Sequence, residues 1–470
     1  MSHDKDPMRA GAPPAPGGAG GPGDRGEARP TGGGPAGGGS GLRPRGGEYR
    51  RVKGTRDLLP PETAVWAAVE ATARRVFGLY GYQEIRTPAL EHTELFVRAV
   101  GESTDIVGKE MYTFPDAKGR SLTLRPENTA PVARAFLEAG LQHGPLPVKL
   151  FYIGPQFRRE RPQKGRYRQF HQIGAELLGV ASPYADAELL LMLDRFLREL
   201  GFTDLEVLLN TVGDAESRRA YGEALREHLL PLAERLGPDS RRRLDANPLR
   251  ILDTKDPQER ELLAGAPALA DHLTAEARAH FAAVREMLDR FGVRYRVSER
   301  LVRGLDYYTD TVFEIVSRDL GAQDAILGGG RYDELVADLG GPRIPGIGFA
   351  IGADRLIEVL PASYRERAMV PPPAVVVPVG GFAPAEALAL GEELRAAGVA
   401  CEVELGGRAL RKALERAGKL GARWAVLVGE AEAARGVATV KDLAAGEQHE
   451  VPRGALAVWL ATRAEGGEQS

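Results

Sequence analysis

Cysteine occurs once in 470 residues, at Cys401, which excludes an internal disulfide and makes a reducing, cytoplasmic setting the expectation. The eight histidines are scattered, without the Cys and His spacing of a zinc site, so no metal ligands are assigned. No apolar run approaches the roughly 20 residues needed to span a bilayer. No charged start leads into the apolar stretch of a secretory signal, and no membrane association is expected. Excess charge is also missing: 62 Lys and Arg stand against 65 Asp and Glu, a formal net charge of −3. Any nucleic-acid contact must therefore come from local basic patches, not from a surface coated with positive charge.

Residues 1–48 lack large apolar side chains, and 16 Gly with 8 Pro make up half of them. Such a segment cannot bury enough surface to offset its ordering entropy, so a disordered tail outside the fold is expected. The run Gly328–Gly330 lacks both GxGxxG spacing and a GK[ST] ending, which argues against a dinucleotide or P-loop site. Glycine there suits close approach of the backbone to a bound group.

What is present is a set of four chemically marked segments. Ile153–Glu176 carries Arg158, Arg159, Arg161, Arg166 and Arg168 with Lys164 and a single acid, Glu160, before Phe170. Its apolar, aromatic ends predict a strand, a charged loop over Arg161–Arg168, and a second strand, with arginine at the end of the first. The others are Thr123–Ala130 (TLRPENTA), Leu301–Glu314 (LVRGLDYYTDTVFE) and Gly328–Leu356 (GGGRYDELVADLGGPRIPGIGFAIGADRL). Arginine suits a phosphate site because its planar fork stays charged and holds two oxygens.

At this length two or three domains are expected. Pro60-Pro61-Glu62 opens a predicted helix with Val65, Val69, Val76 and Tyr80 at helical spacing and Gly81 beyond its end. Gln83–Leu90 reads as a strand ending near Pro88. From Thr211 to about Arg294 the pattern is helical, and Arg241-Arg242-Arg243 within it reads as a solvated helix end, with contact to nucleic-acid backbone phosphates as the alternative. After Pro371–Pro373, AVVVPVG, CEVEL and RWAVLVG read as strands alternating with helices over Pro384–Ala397 and Arg408–Lys419, which implies a parallel or mixed sheet.

The four segments resemble the motifs of class II aminoacyl-tRNA synthetases, and their wording, "FRRERPQKGRYRQFHQ" above all, resembles the histidyl-tRNA synthetase family. The resemblance extends over about 49–464 and implies an α/β fold with an α+β catalytic core: an antiparallel sheet flanked by helices, a helical insertion and a C-terminal α/β anticodon-binding domain. The implied division is tail 1–48, catalytic core 49–365 interrupted by the insertion 211–294, and anticodon-binding domain 371–464. The helix and strand after Pro60 are similar to motif 1, which implies a homodimer. Activity, by the same resemblance, is ATP-dependent formation of histidyl-adenylate and transfer to the 3′ end of histidine tRNA, with Mg2+ on the β- and γ-phosphates.

Residue by residue, the resemblance assigns Arg158 and Arg303 to the α-phosphate, Arg355 to the polyphosphate and Arg166 to a supporting role. Glu127, with Thr129 and Gln172 beside it, would take the histidine ammonium. Glu176 and Tyr308 would bond the imidazole, with Tyr307 close by. Arg408, Arg411, Lys412 and Lys419 are candidate phosphate contacts in the anticodon domain. The sequence departs from the family at Asn128, where glycine is usual; asparagine tolerates positive φ if the backbone needs it. The alternative is a noncatalytic, synthetase-like regulatory subunit of ATP phosphoribosyltransferase, a paralogue that typically lacks the anticodon domain and has degraded catalytic motifs.

Overall fold

The computed structural model describes residues 49–465 except 103, 164, 317–324, 370–373 and 382–383. The expected tail, 1–48, lies outside the described residues, as does Lys164.

Helix α1 spans Glu62–Leu79 and buries Val65, Trp66, Val69, Ala73, Val76 and Phe77. Tyr80 caps it, and Gly81 turns the chain at a φ of 81°, which glycine adopts without steric penalty. Strand β1 takes only Gln83–Glu84. The strand expected over Gln83–Leu90 breaks after it, and pairing resumes at β2 (Leu90–His92) in a different sheet. Pro88 has no N–H for a ladder, and the carbonyls of Thr87 and Pro88 accept from Arg125 Nη1 at 2.7 and 3.3 Å. After α2 (Thr93–Val100), strands β3 (Tyr112–Pro115) and β4 (Ser121–Leu124) complete a three-stranded antiparallel sheet with β2 at one edge.

Helix α3 (Thr129–Glu138) precedes the long hairpin β5 (Val148–Phe157) and β6 (Gln169–Leu178), the expected strand, charged loop and strand. Then come α4 (Pro183–Glu199), β7 (Glu206–Thr211), the helices α5 (Ala215–Leu229), α6 (Pro238–Ala246), α7 (Pro257–Leu262) and α8 (Ala275–Arg290), and β8 (Tyr295–Val297). Strands β9 (Thr309–Val316) and β10 (Ala325–Arg331), the short helix α9 (Leu335–Asp338), β11 (Gly346–Gly352) and α10 (Ala353–Glu358) follow. The central sheet runs β1-β5-β6-β11-β10-β9-β7-β8, antiparallel except for the pairs β1–β5 and β7–β8.

Side chains alternate across each strand. Phe151, Ile173, Phe313 and Phe349 point into a core closed by α1, α4 and α8, and Gln172 and Glu176 point to the other face. That second face carries the site.

Within 211–294 the structure separates two roles. Residues Tyr221–Leu269 bury a small core of their own, whereas Val284 and Leu288 of α8 belong to the main core, where α8 lies along α4. Arg241 and Arg242 are exposed, as the solvated helix end expects, while Arg243 is half-buried. Arg241 donates to the carbonyls of Leu236 and Glu234, and Arg242 pairs with Asp239. Arg243 reaches Asp105 at 3.3 Å: helical phase turns one arginine of the three toward a carboxylate that sequence distance had hidden.

Considered separately, the C-terminal region forms a five-stranded sheet from β12 (Ala374–Pro378), β13 (Cys401–Val403), β14 (Trp424–Val428), β15 (Val437–Asp442) and β16 (Gln448–Pro452), in the order β13-β12-β14-β15-β16. The first three are parallel and the last two antiparallel. Val376 faces one core and Val375 and Val377 the other, which explains an apolar run without alternation.

Candidate active site

A cavity of about 540 Å³ opens on the second face of the central sheet. Of the residues expected there, Glu127, Thr129, Arg158, Arg166, Gln172, Arg303, Tyr307, Tyr308 and Arg355 all line it. They come from seven stretches of chain spread over more than 220 residues.

One end is cationic. The β5–β6 ladder ends at the pair Phe157 and Gln169, so Arg158 leaves the sheet just where its side chain can turn over it. Its Nε donates to the Pro126 carbonyl at 2.9 Å and its guanidinium stacks on Phe170 at 5.3 Å. Arg166 pairs with Glu160 at 2.9 Å. Arg355, at the start of α10, donates to the carbonyls of Ala325 (2.9 Å) and Gly165 (3.4 Å). Burial lowers the Arg355 pKa and repulsion from Arg166 and Arg158 lowers it further, with Glu160 opposing. Guanidiniums that repel one another at one end of a cavity favour an anionic guest.

Arg303 lies between the two ends, paired with Glu314 and seated over Gly328. Burial alone would lower its pKa; the Glu314 carboxylate together with Tyr308 and Tyr307 more than reverses that. A Cβ at Gly328 would collide with the guanidinium, one at Gly329 with the Gly348 carbonyl and the Phe313 ring, and one at Gly330 with the Thr311 carbonyl. These glycines thus make room for the protein's own groups, and Gly328 also lines the cavity.

The other end is polar and mostly uncharged. Glu127 accepts the N–H groups of Thr129 (2.7 Å) and Ala130 (3.1 Å) at the start of α3. Burial raises its pKa, against those two bonds and the Arg158 charge. Gln172 Oε1 is buried without a protein partner, so it is available to a donor from a guest. Burial raises the pKa of Tyr307 and Tyr308, and both remain neutral hydroxyls.

Glu176 departs from the expected direct contact. It is 1% exposed and does not line the cavity. Thr129 Oγ1 donates to it at 2.7 Å, Tyr332 donates to the other oxygen, and Tyr152 approaches at 3.4 Å. Burial pushes its pKa up to about 8, against these donors and aided by Glu127. Asn128 has φ −122°, so positive φ is not why asparagine is tolerated. Its buried side chain accepts from Thr87 Oγ1 at 2.7 Å.

Sequence reasoning missed several lining residues. Tyr167, Phe170 and Glu160 sat inside a quoted segment but carried no assigned role. Asp253, Lys255 and Arg260 come from the helical insertion, and no motif marks them.

An antiparallel sheet whose open face gathers arginines from a strand–loop–strand hairpin and from a helix after the last sheet strand is the class II aminoacyl-tRNA synthetase arrangement. The chain belongs to the histidyl-tRNA synthetase family, whose profile matches residues 54–356, followed by an anticodon binding domain over 373–463. A histidine–tRNA ligase of Koribacter versatilis is 50% identical over 435 residues, covering 89% of this chain and 98% of that protein. One from Gluconacetobacter diazotrophicus is 51% identical over 411 residues, with 87% and 98% coverage. Among solved structures, apo histidyl-tRNA synthetase of S. aureus matches with a TM-score of 0.74 and 34% identity, over 88% of this chain and all of that one. A Bacillus halodurans structure described as an ATP phosphoribosyltransferase regulatory subunit/histidyl-tRNA synthetase shares the fold at a TM-score of 0.60 and 24% identity, over 81% and 98% of the two chains.

Proposed function

We infer that the chain activates L-histidine with ATP to histidyl-adenylate and transfers the histidyl group to the 3′ end of histidine tRNA. The observation that carries this reading is the cavity with three arginines at one end and a polar, carboxylate-bearing pocket at the other, in a chain about 50% identical to histidine–tRNA ligases. The substrate carboxylate is already ionised at neutral pH and attacks the α-phosphorus without a general base. Catalysis comes from positioning and from fixed positive charge where phosphoryl charge develops.

Arg158 and Arg303 hold the α-phosphate from either side in this proposal, and Arg355 with Arg166 holds the outer phosphates. Glu127, with Thr129 and Gln172, takes the ammonium. Tyr308 and Tyr307 bond the imidazole, and Glu176 acts from behind by fixing Thr129 and Tyr332. A pocket that satisfies buried polar substrate atoms rejects analogues lacking them by about 10⁴ to 10⁵. Among the described residues no group of three or more His, Cys, Asp or Glu could hold a metal ion. Of the carboxylates lining the cavity, Glu160, Glu314 and Asp354 already meet arginines, Glu127 accepts two backbone N–H groups, and Asp253 comes from the insertion. This donor set fits Mg2+ carried mainly by phosphates and water, with Glu160 the nearest carboxylate to the arginine end. When bound it would neutralise charge on the β- and γ-phosphates.

The proposed division is core 49–365, insertion 211–294 and anticodon-binding domain 371–464. In the last, Arg408 and Arg411 already pair with Glu404 and Glu415, which favours Lys412 and Lys419 for RNA phosphates. A homodimer is supported by one face of the small sheet, where Leu90, Phe114, Leu122 and Leu124 stand together, Leu90 and Phe114 exposed by more than 40%. No described helix is long and apolar enough to cross a membrane, and we place the enzyme in the cytoplasm.

The regulatory-subunit reading is less supported, because Arg158, Arg303 and Arg355 all line the cavity and the anticodon domain is present. ATP–pyrophosphate exchange without tRNA is the decisive assay. Exchange should require histidine; purified protein that shows none overturns the reading.

A further inference from the structure

Arg303 sits on a segment that the sheet does not hold. Residues 298–308 lie between β8 and β9 and form no helix or strand. Ser298 N–H reaches Leu209 O at 2.9 Å, and Asp306 N–H reaches Val100 O at 3.4 Å. The rest of the support comes from side chains. Asn210 of β7 donates to the carbonyls of Glu299 (3.2 Å) and Leu301 (2.9 Å) and so fixes the entry.

The exit is held by the insertion. Arg250, in a short 3-10 helix over Pro248–Asp253 and only 7% exposed, donates through Nη2 to the Gly304 carbonyl at 2.7 Å and meets Asp306 Oδ1 through Nε at 3.5 Å. Asn247 Nδ2 donates to the same Oδ1 at 2.9 Å, and Arg218 of α5 donates to the Asp306 carbonyl at 3.2 Å. Gly304 and Asp306 lie between Arg303 and the tyrosine pair Tyr307–Tyr308. A buried guanidinium that spans a carbonyl and a carboxylate with one planar fork defines orientation as well as proximity.

We propose that Arg250 and Asn247 of the helical insertion are positioning residues for histidine activation: they clamp Gly304 and Asp306 and thereby aim Arg303 and Tyr308 into the cavity. The insertion is then part of the activation machinery in the absence of tRNA. This rests on the function inferred above. Neither residue lines the reaction cavity, so each acts only through the loop. Misplacement of a reacting group by about 1 Å can cost on the order of 10²-fold in rate.

The test is a double-mutant cycle in the full-length protein, read as kcat/KM for histidine-dependent pyrophosphate exchange per adenylate-forming site. Arg250→Ala should lose about 10- to 100-fold, and Arg250→Lys, which keeps charge without the fork, should recover only part. Placed on Arg303→Ala, the Arg250 change should add less than about threefold, because groups that act as a unit are not additive. Asn247→Ala, which removes one bond from a half-buried side chain, should move the same way with a smaller loss, and it keeps the test alive if Arg250→Ala does not fold. A fully additive double mutant, or either single variant with unchanged kcat/KM, overturns the proposal.

Amide hydrogen exchange over 299–308 should rise in Arg250→Ala or Asn247→Ala, and an unchanged loop overturns the clamp. Since exchange of amides needs no catalysis, a wild-type protein without histidine-dependent activity would refute the function while leaving this arm to judge the clamp.

Discussion

Glu176 shows how one residue's environment can outweigh its chemistry. Three hydroxyl donors surround it, which favours the charged form, yet burial and the neighbouring Glu127 push its pKa to about 8. The folded state therefore holds a proton that the unfolded chain, with an ordinary carboxyl near 4.5, releases between those two pH values. Stability drawn from this group is present at low pH and declines as pH rises toward 8. Glu176→Gln mimics the protonated form, so its melting temperature should fall less between pH 5 and 8 than that of the wild type. Parallel pH profiles for the two proteins would show that Glu176 does not carry this proton.

Gly328 makes a second point at this scale. The clash of an added Cβ is with the Arg303 guanidinium, not with backbone, so Gly328→Ala should fold and displace the arginine. Loss of a donor aimed at developing charge typically costs about 10² to 10³ in rate. Pyrophosphate exchange should fall by that order while histidine affinity changes little, and near-normal exchange would remove Arg303 from the proposed α-phosphate set.

Among the elements, the small sheet of β2, β3 and β4 is the least self-sufficient. Its inner face is threaded by hydroxyls, with Thr123 bonded to Thr93 and Thr113 at 2.9 Å each, while its outer face shows leucine and phenylalanine to solvent. Adjacent apolar side chains left uncovered on a flat sheet mark an interaction surface, and a second copy of the chain is the proposed cover. Leu122→Glu should shift the protein from dimer to monomer in sedimentation velocity. A dimer of unchanged stability would place the interface elsewhere.

At the scale of the whole molecule, the groups proposed for ATP and histidine all lie between Glu127 and Arg355, and the anticodon domain match begins only at 373. Removing residues 371–470 should leave histidine-dependent exchange largely intact and impair tRNA charging, because single-stranded bases are read by a dedicated surface. A folded, dimeric truncation that charges histidine tRNA as well as the full chain does would refute the anticodon assignment. Lys412→Ala with Lys419→Ala should weaken charging most at low salt and flatten its salt dependence if these lysines meet RNA phosphates.

Local rules made much of this legible from residue order alone. The α1 stripe, the strand–loop–strand around Arg158 and the alternating strands and helices after 373 follow from periodicity and turn residues, since each depends on neighbours within a few positions, whereas the cavity residues assigned in advance came from the family resemblance of four segments. Other features were invisible because they are made by contacts between distant segments. Gln83–Leu90 splits where Arg125 claims the carbonyls of Thr87 and Pro88. Glu176 withdraws behind Tyr332, some 156 positions later. Arg243 turns to Asp105, and Arg250 reaches across 54 positions to the Gly304 carbonyl. Periodicity reports which face of an element is buried, but a polar side chain's partner is settled only when the elements pack, and that packing decided which groups face the cavity and which support them.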